Sequence, residues 1–317
     1  MKNWFPILAI LSFPCFAQQD SIAPYFREFK DKISTQIFLL NTSNDFEIDY
    51  ENDDLTVEII PNIKTTLNIG FQYDIVSFSV GFAPKFFADN QDNKGSRMTS
   101  LSFEFTPGRW MQRLEYYNQK GMTLKTDGAP GLYFSRLEST KIGGSTNYFF
   151  NRKFSYRAIA LQNVQQLRSA GSFSAGLIYY YTSLDGNDEP EIEGKTTFLD
   201  IAFTPAYHYN WVIGKHVNLV GGLSIGAGIN FIDDEGDDTT SALYTSSLML
   251  APGYNSDRWF FGAHLRANYM GREANNGVNV GDSIVYATAF VGYRFDAPEF
   301  LISKTQQIKS KFLKENK

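Results

Sequence analysis

Three histidines and a short run of serines are the residues whose types could support acid–base or covalent chemistry. Ser169, Ser172 and Ser174 are candidate nucleophiles, with His208 or His264 as base and Asn210 or Asn268 as the group that orients it. A serine hydroxyl is a weak nucleophile until an oriented base takes its proton, and a lipid hydrolase would need that arrangement. No histidine has a serine within a few residues, so such a triad must be assembled across strands. Its lipid substrate would also approach from outside, whereas His208 and His264 read as inward-facing. The expectation is a non-enzymatic protein.

Metal and cofactor chemistry is weaker still. His208 and His216 flank one turn but have no nearby pair of carboxylates to complete a site. The acidic run Asp233 to Asp238 is rich in oxygen ligands but lacks the spacing of a calcium loop. It reads as a solvated loop that discourages edge pairing. No glycine-rich phosphate cradle precedes a helix, and no cofactor is expected. The formal net charge of -5 argues against a nucleic-acid partner.

A larger set of charges falls on the polar face of alternating segments. Lys64, Glu104, Arg113, Glu115, Arg157, Asp200, His208, His264, Arg266 and Arg294 would all point inward on that register. Mixed charges inside a narrow barrel either pair across it, fixing its shape and blocking flow, or form separated rings that select ions. Pairing is the expectation, because a buried charge without a partner is costly.

The elements that must position these residues are strands. From about Ser34 to Phe295 apolar and polar residues alternate with period two. Leu67, Ile69, Phe71 and Tyr73 oppose Thr66, Asn68, Gly70 and Gln72; after Asp74 the pattern repeats through Val76, Phe78, Val80 and Phe82. The polar face is mostly Gly, Ser, Thr and Asn, which suits a crowded interior better than the Lys- and Glu-rich surface of a soluble sheet. Aromatics cluster at strand ends, as the two membrane interfaces select: Trp110, Phe149-Phe150, Trp211 and Trp259. The fold class is therefore all-β, an antiparallel transmembrane β-barrel; a secreted soluble β-protein is the alternative. Short turns are expected at Asp74, Thr106 to Gly108, Asn151-Arg152, Val212 to Lys215 and Asn255 to Asp257. Long outer loops are expected near 90–95, 121–131, 185–194, 233–238 and 272–281. About thirteen candidate strands emerge, but such barrels use even numbers. Twelve is the expectation and fourteen the alternative, the surplus lying in 154–181 or 34–62.

The ends read separately. Residues 1–17 have the positive start, apolar stretch and small-x-small site of an export signal cut after Ala17, which removes Cys15, the only cysteine. Residues 18–33 form a polar periplasmic lead-in and 34–295 the barrel. Residues 296–317 form a basic periplasmic tail with Leu301, Ile308 and Phe312 at helical spacing. That tail reads as a frayed or short helix, or else as an interfacial helix or a plug entering the barrel. Val291, Tyr293 and Phe295 resemble the terminal strand that barrel-assembly machinery recognises.

Three stretches carry a family resemblance: PNIKTTLNIGFQY at 61–73, NRKFSYRAIALQ at 151–162 and RSAGSFSAGLIYYY at 168–181. With the order of hairpins, they make the chain similar to a Bacteroidota outer-membrane family known as a domain of unknown function, DUF4421. The resemblance implies an outer-membrane barrel among lipid and lipopolysaccharide of a Gram-negative cell, and no catalytic residue. The expected role is a small-solute channel or a structural or binding barrel.

Overall fold

The computed structural model describes residues 24–50, 55–61, 64–87, 90–91, 95–126, 129–159, 163–186, 189, 194–234, 236–274 and 278–315. The expected export signal lies outside them. A short β1 (Phe26–Glu28) precedes β2 (Lys32–Tyr50), β3 (Leu55–Pro61), β4 (Lys64–Tyr73), β5 (Val76–Phe82), β6 (Arg97–Phe105), β7 (Trp110–Thr126) and β8 (Leu132–Phe149). A 3-10 turn (Tyr156–Ala158) and β9 (Val164–Gln166) lead to β10 (Ala170–Asp185), β11 (Lys195–Phe203) and β12 (Ala206–Ile213). Then come β13 (Val217–Asp234), β14 (Asp237–Asn255), β15 (Trp259–Ala274), β16 (Val278–Asp296) and the helix α1 (Glu299–Glu315).

Fourteen of these strands form one antiparallel sheet, closed where β16 pairs β2 from Val278↔Tyr50 to Asp296↔Lys32. Two pairs of segments are single staves with an interruption, so the ring has about twelve staves. β11 and β12 continue each other along β10 across Thr204-Pro205, where proline cannot donate to a ladder. β3 and β4 both pair β2, with the register stepping by one residue between Ile59↔Phe46 and Lys64↔Thr42. The expected strand number is thus met. Within 154–181, the described residues 154–159 and 163–166 lie outside the main sheet.

The turns on the side of the chain ends are short. Asp74-Ile75 joins β4 to β5, with Asp74 at φ 52, a left-handed conformation that aspartate tolerates. Gly108 and Gly214 supply positive φ in two others. Short turns mark the periplasmic rim of such barrels. One short turn was misplaced: Asn151-Arg152 opens a long connection from β8 to β10. Three of the five expected outer loops, near 121–131, 233–238 and 272–281, are partly strand among the described residues. β7 runs to Thr126, and β13 and β14 stay paired up to Asp234↔Asp237. Hydrophobic alternation fades there because both faces turn polar outside the membrane, while the backbone ladder continues.

The rim is not uniform. β5 and β6 form a short hairpin, and above it β3 pairs directly with β7, from Val57↔Thr126 to Pro61↔Met122. The barrel therefore narrows toward its outer end. Adjacent glycines let β8 follow the wall: a Cβ on Gly144 would lie 1.8 Å from the Arg113 carbonyl, and one on Gly143 2.2 Å from that of Tyr179.

The outer surface is apolar and exposed, with Phe71, Phe78, Ile225, Leu248, Leu265 and Val285 among the side chains pointing away from the ring. At the periplasmic rim aromatic rings touch one another, Trp110 on Tyr148, and Trp259 and Phe295 on Tyr293. An uninterrupted apolar belt with an aromatic girdle has no stable place in water and fits a bilayer.

Candidate functional site

The connection from β8 to β10 turns into the lumen and closes its periplasmic end. Phe154 and Ile159 are buried in a cluster with the wall residues Met111, Phe149, Ala170, Val220 and Ala251. β9 is wholly buried and pairs with β1, so the lead-in is also part of the closure rather than a free polar segment. A buried connection must satisfy its backbone groups, and here side-chain amides of plug and wall do so. Asn210 Nδ2 donates to Ser155 O at 3.1 Å, and Asn255 Nδ2 to Val164 O at 3.0 Å. Gln165 Nε2 donates to the carbonyls of Lys215 and Asn255, each at 3.0 Å. Arg157 clamps the plug to the rim through Glu28 at 2.9 Å and Asp74 O at 2.7 Å.

The outer end is sealed differently. Phe46, Ile59, Met122, Phe134 and Leu137 form a second buried cluster inside the narrowed rim. Near this end lies a chain of buried charges. Arg272 donates to both carboxylate oxygens of Asp200, at 2.9 and 2.5 Å, and reaches Asp282 at 3.6 Å. Asp282 in turn holds Lys141 at 2.8 Å. Two cations and two carboxylates alternate, so the network is neutral. Such bidentate pairing is what makes burial of an arginine tolerable.

Between the seals lie two polar chambers of about 230 and 100 Å³, sharing Arg113, Tyr156, Met249 and Arg266 as their partition. The larger is faced on one side by small residues of β4 to β6, such as Ser79 and Ser102, and on the other by Tyr117, Tyr286 and His264. The Tyr117 and Tyr286 rings approach to 6.2 Å.

The ten residues expected in the lumen are spread over several places and do not form one site. Arg113 pairs with Glu104 at 2.7 Å and donates to Tyr156 Oη at 3.0 Å. Glu115 accepts hydrogen bonds from Tyr117 and Tyr180, at 3.3 and 2.8 Å. Arg266 donates to Asn268 at 3.1 Å. His264 Nε2 donates to the plug carbonyl of Ile159 at 3.1 Å. His208 packs among Phe149, Phe154 and Tyr156. Asp200 belongs to the outer network, and Lys64 is buried in the wall. Arg157 comes from the plug instead of a strand. Arg294 is buried at the periplasmic mouth between the rings of Phe29 and Phe260, at 3.8 and 4.6 Å, and donates to Ser256 O and Asn255 Oδ1. Lys141, Arg272, Asp282 and the lumen tyrosines were not foreseen.

Of the candidate hydrolase residues, Ser172 and His208 are cross-strand partners on β10 and β12. Ser169 Oγ accepts from Val212 N, and Ser172 Oγ donates to Phe173 O at 2.7 Å. His208 Nδ1 and Ser174 Oγ meet no hydrogen-bond partner among the described residues. His216 Nδ1 turns to Asn255 O at 3.0 Å, away from the aromatic setting of His208. No cluster of three potential metal ligands occurs among the described residues. The tail is the helix α1, with Phe300 exposed, and the plug is supplied by residues 154–159 and 163–166 in its place.

One rim contact titrates. Arg27, in β1, pairs with Asp257 in the turn between β14 and β15 and holds that carboxyl below its ordinary value of 3.8. A depressed acid stabilises the folded state at every pH above its unfolded value, and that contribution is lost as pH falls through the lower folded value. Amide hydrogen exchange of residues 26–28 is therefore expected to stay slow at pH 5 and above and to accelerate below the ordinary carboxylate range. The Asp257→Asn variant should show the faster exchange at every pH.

A closed ring of antiparallel staves, apolar outside and polar within, defines a transmembrane β-barrel of the outer-membrane type. The chain belongs to the family described as a domain of unknown function, DUF4421, whose model matches residues 18–295. It is similar in fold to the outer membrane protease OmpT from Escherichia coli, at 10% identity and TM-score 0.39 over 85% of this chain and 98% of that one. A COG4313 outer membrane channel from Pseudomonas putida F1 gives 10%, 0.35, 87% and 100% in the same order. Neisserial surface protein A gives 12%, 0.26, 83% and 97%. No curated protein matches.

Proposed function

We propose that this is a non-enzymatic outer-membrane barrel that is closed at rest and holds a small polar solute in its lumen, instead of conducting solutes freely. The observation that carries the reading is the inward connection between β8 and β10, whose described residues 154–159 and 163–166 fill the periplasmic mouth and are bonded to the wall on several sides. The outer charge network and apolar cluster support it from the other end. The non-enzymatic part is supported by the commitment of Ser169 and Ser172 to backbone partners. The apolar belt would sit among lipid and lipopolysaccharide, delivered by barrel-assembly machinery after export. The test is single-channel recording of the refolded protein in a planar bilayer. Protein that shifts on a denaturing gel when boiled, and is thus folded, should stay silent at moderate voltage. Discrete, reproducible steps from the unmodified chain would overturn the closed reading.

A further inference from the structure

Charges inside a barrel should neutralise one another, and most of those facing the larger chamber do. Glu104 is paired with Arg113, and Arg157 with Glu28. Two are different. Glu115 is held by two tyrosine hydroxyls, and Arg266 by the side-chain oxygen of Asn268. Both line the same chamber, yet neither lies within ion-pair distance of an opposite charge among the described residues. Tyr286, cross-strand from Arg266, stands on the wall of that chamber with them. A carboxylate and a guanidinium held apart across one cavity present complementary ends to a molecule carrying both charges. The cost of burying either one alone is what such a molecule would offset.

We propose that the central chamber binds a small zwitterion of the α-amino-acid type, its ammonium on Glu115 and its carboxylate on Arg266. The tyrosine hydroxyls fix the Glu115 carboxylate from one side, and Asn268 fixes the guanidinium through Nε, leaving its terminal nitrogens for the ligand. A chamber of about 230 Å³ suits a molecule of this size, with the small side chains of Ser79 and Ser102 leaving the room. This inference rests on the closed, solute-holding reading above.

The test is equilibrium dialysis of radiolabelled alanine against protein refolded in its presence, so that the seals do not limit loading. Ethylamine, acetate and acetamide serve as competitors carrying one charge or none. Saturable binding of about one alanine per chain is expected, displaced at least tenfold better by glycine than by any of the three competitors. Glu115→Gln and Arg266→Gln should each reduce the affinity at least tenfold. Ser102→Trp, which faces Glu115 across the β6–β7 pair, should abolish binding by filling the chamber while the gel shift of the folded barrel is retained. Absence of saturable binding in folded, non-conducting protein would overturn the inference and leave the closed reading standing, with water as the occupant. Binding that survives both charge substitutions, or equal displacement by acetate alone, would overturn the zwitterion assignment. Channel steps from the unmodified protein would instead defeat the reading beneath it.

Discussion

Replacing Arg272 by alanine is expected to destabilise the folded barrel by about 3–5 kcal/mol, the largest single-residue effect in the molecule. Its guanidinium is the shared partner of Asp200 and Asp282, and all three side chains are essentially inaccessible to water. Without it, among the described residues Asp200 keeps the amide of Asn230, at 2.7 Å, and Asp282 keeps Lys141. An uncompensated carboxylate in that setting must either take up a proton or draw water into a packed interior, and both oppose folding. The measurement is urea unfolding in lipid vesicles followed by tryptophan fluorescence. The double variant Asp200→Asn with Arg272→Met should recover much of the loss, because removing both partners leaves little unsatisfied. A single-variant loss below about 1 kcal/mol would place the pair in the class of solvated ion pairs and refute its role as a seal.

The second large effect concerns access to the lumen. The plug is held mainly by neutral amide–carbonyl bonds and one aromatic cluster, whereas the outer seal is ionic. Replacing residues 153–166 with a short glycine-serine linker should leave the ring closed, since none of the described residues among them pairs with a wall strand in the main sheet. A cysteine placed at Ser102, on the chamber wall, reports the outcome in a chain started at Gln18, which has no other cysteine. Its reaction with a water-soluble maleimide should accelerate at least about a hundredfold on plug replacement, because the rate is otherwise limited by rare local opening. Conductance should remain low in that variant, as the outer seal is intact. Equal labelling rates with and without residues 153–166 would mean that the plug does not control access.

The wall was legible in the sequence because only one physical rule writes it. Phe71, Phe78, Leu223 and Leu265 alternate with small polar residues, and their outward placement follows from the pleat. The interior was legible only in part. Arg113 and Glu104 could be placed inward, but their pairing across β6 and β7 depends on register, which alternation does not specify. Arg272 and Asp282 border a stretch that lacks apolar alternation and so reads as loop, although β15 and β16 stay paired up to Ala274↔Val278. The plug was the main miss. In NRKFSYRAIALQ the apolar residues Phe154 and Tyr156 mimic a strand, and nothing local reveals that they turn inward to meet Phe149 and His208. The surplus strand in the count, placed in 154–181 or 34–62, was the one trace it left.

The direct β3–β7 pairing above the short β5–β6 hairpin has a consequence for the surrounding lipid. On β5 the outward apolar residues span only Val76 to Phe82, while on β13 they run from Val217 to Phe231. Along tilted strands this is a difference of roughly 20 Å in apolar height between two sides of one barrel. A bilayer meeting the hairpin sector must thin or the barrel must lean, each at a cost of fractions of a kcal/mol per ångström. Either response would be one-sided, centred on the sector of the short β5–β6 hairpin.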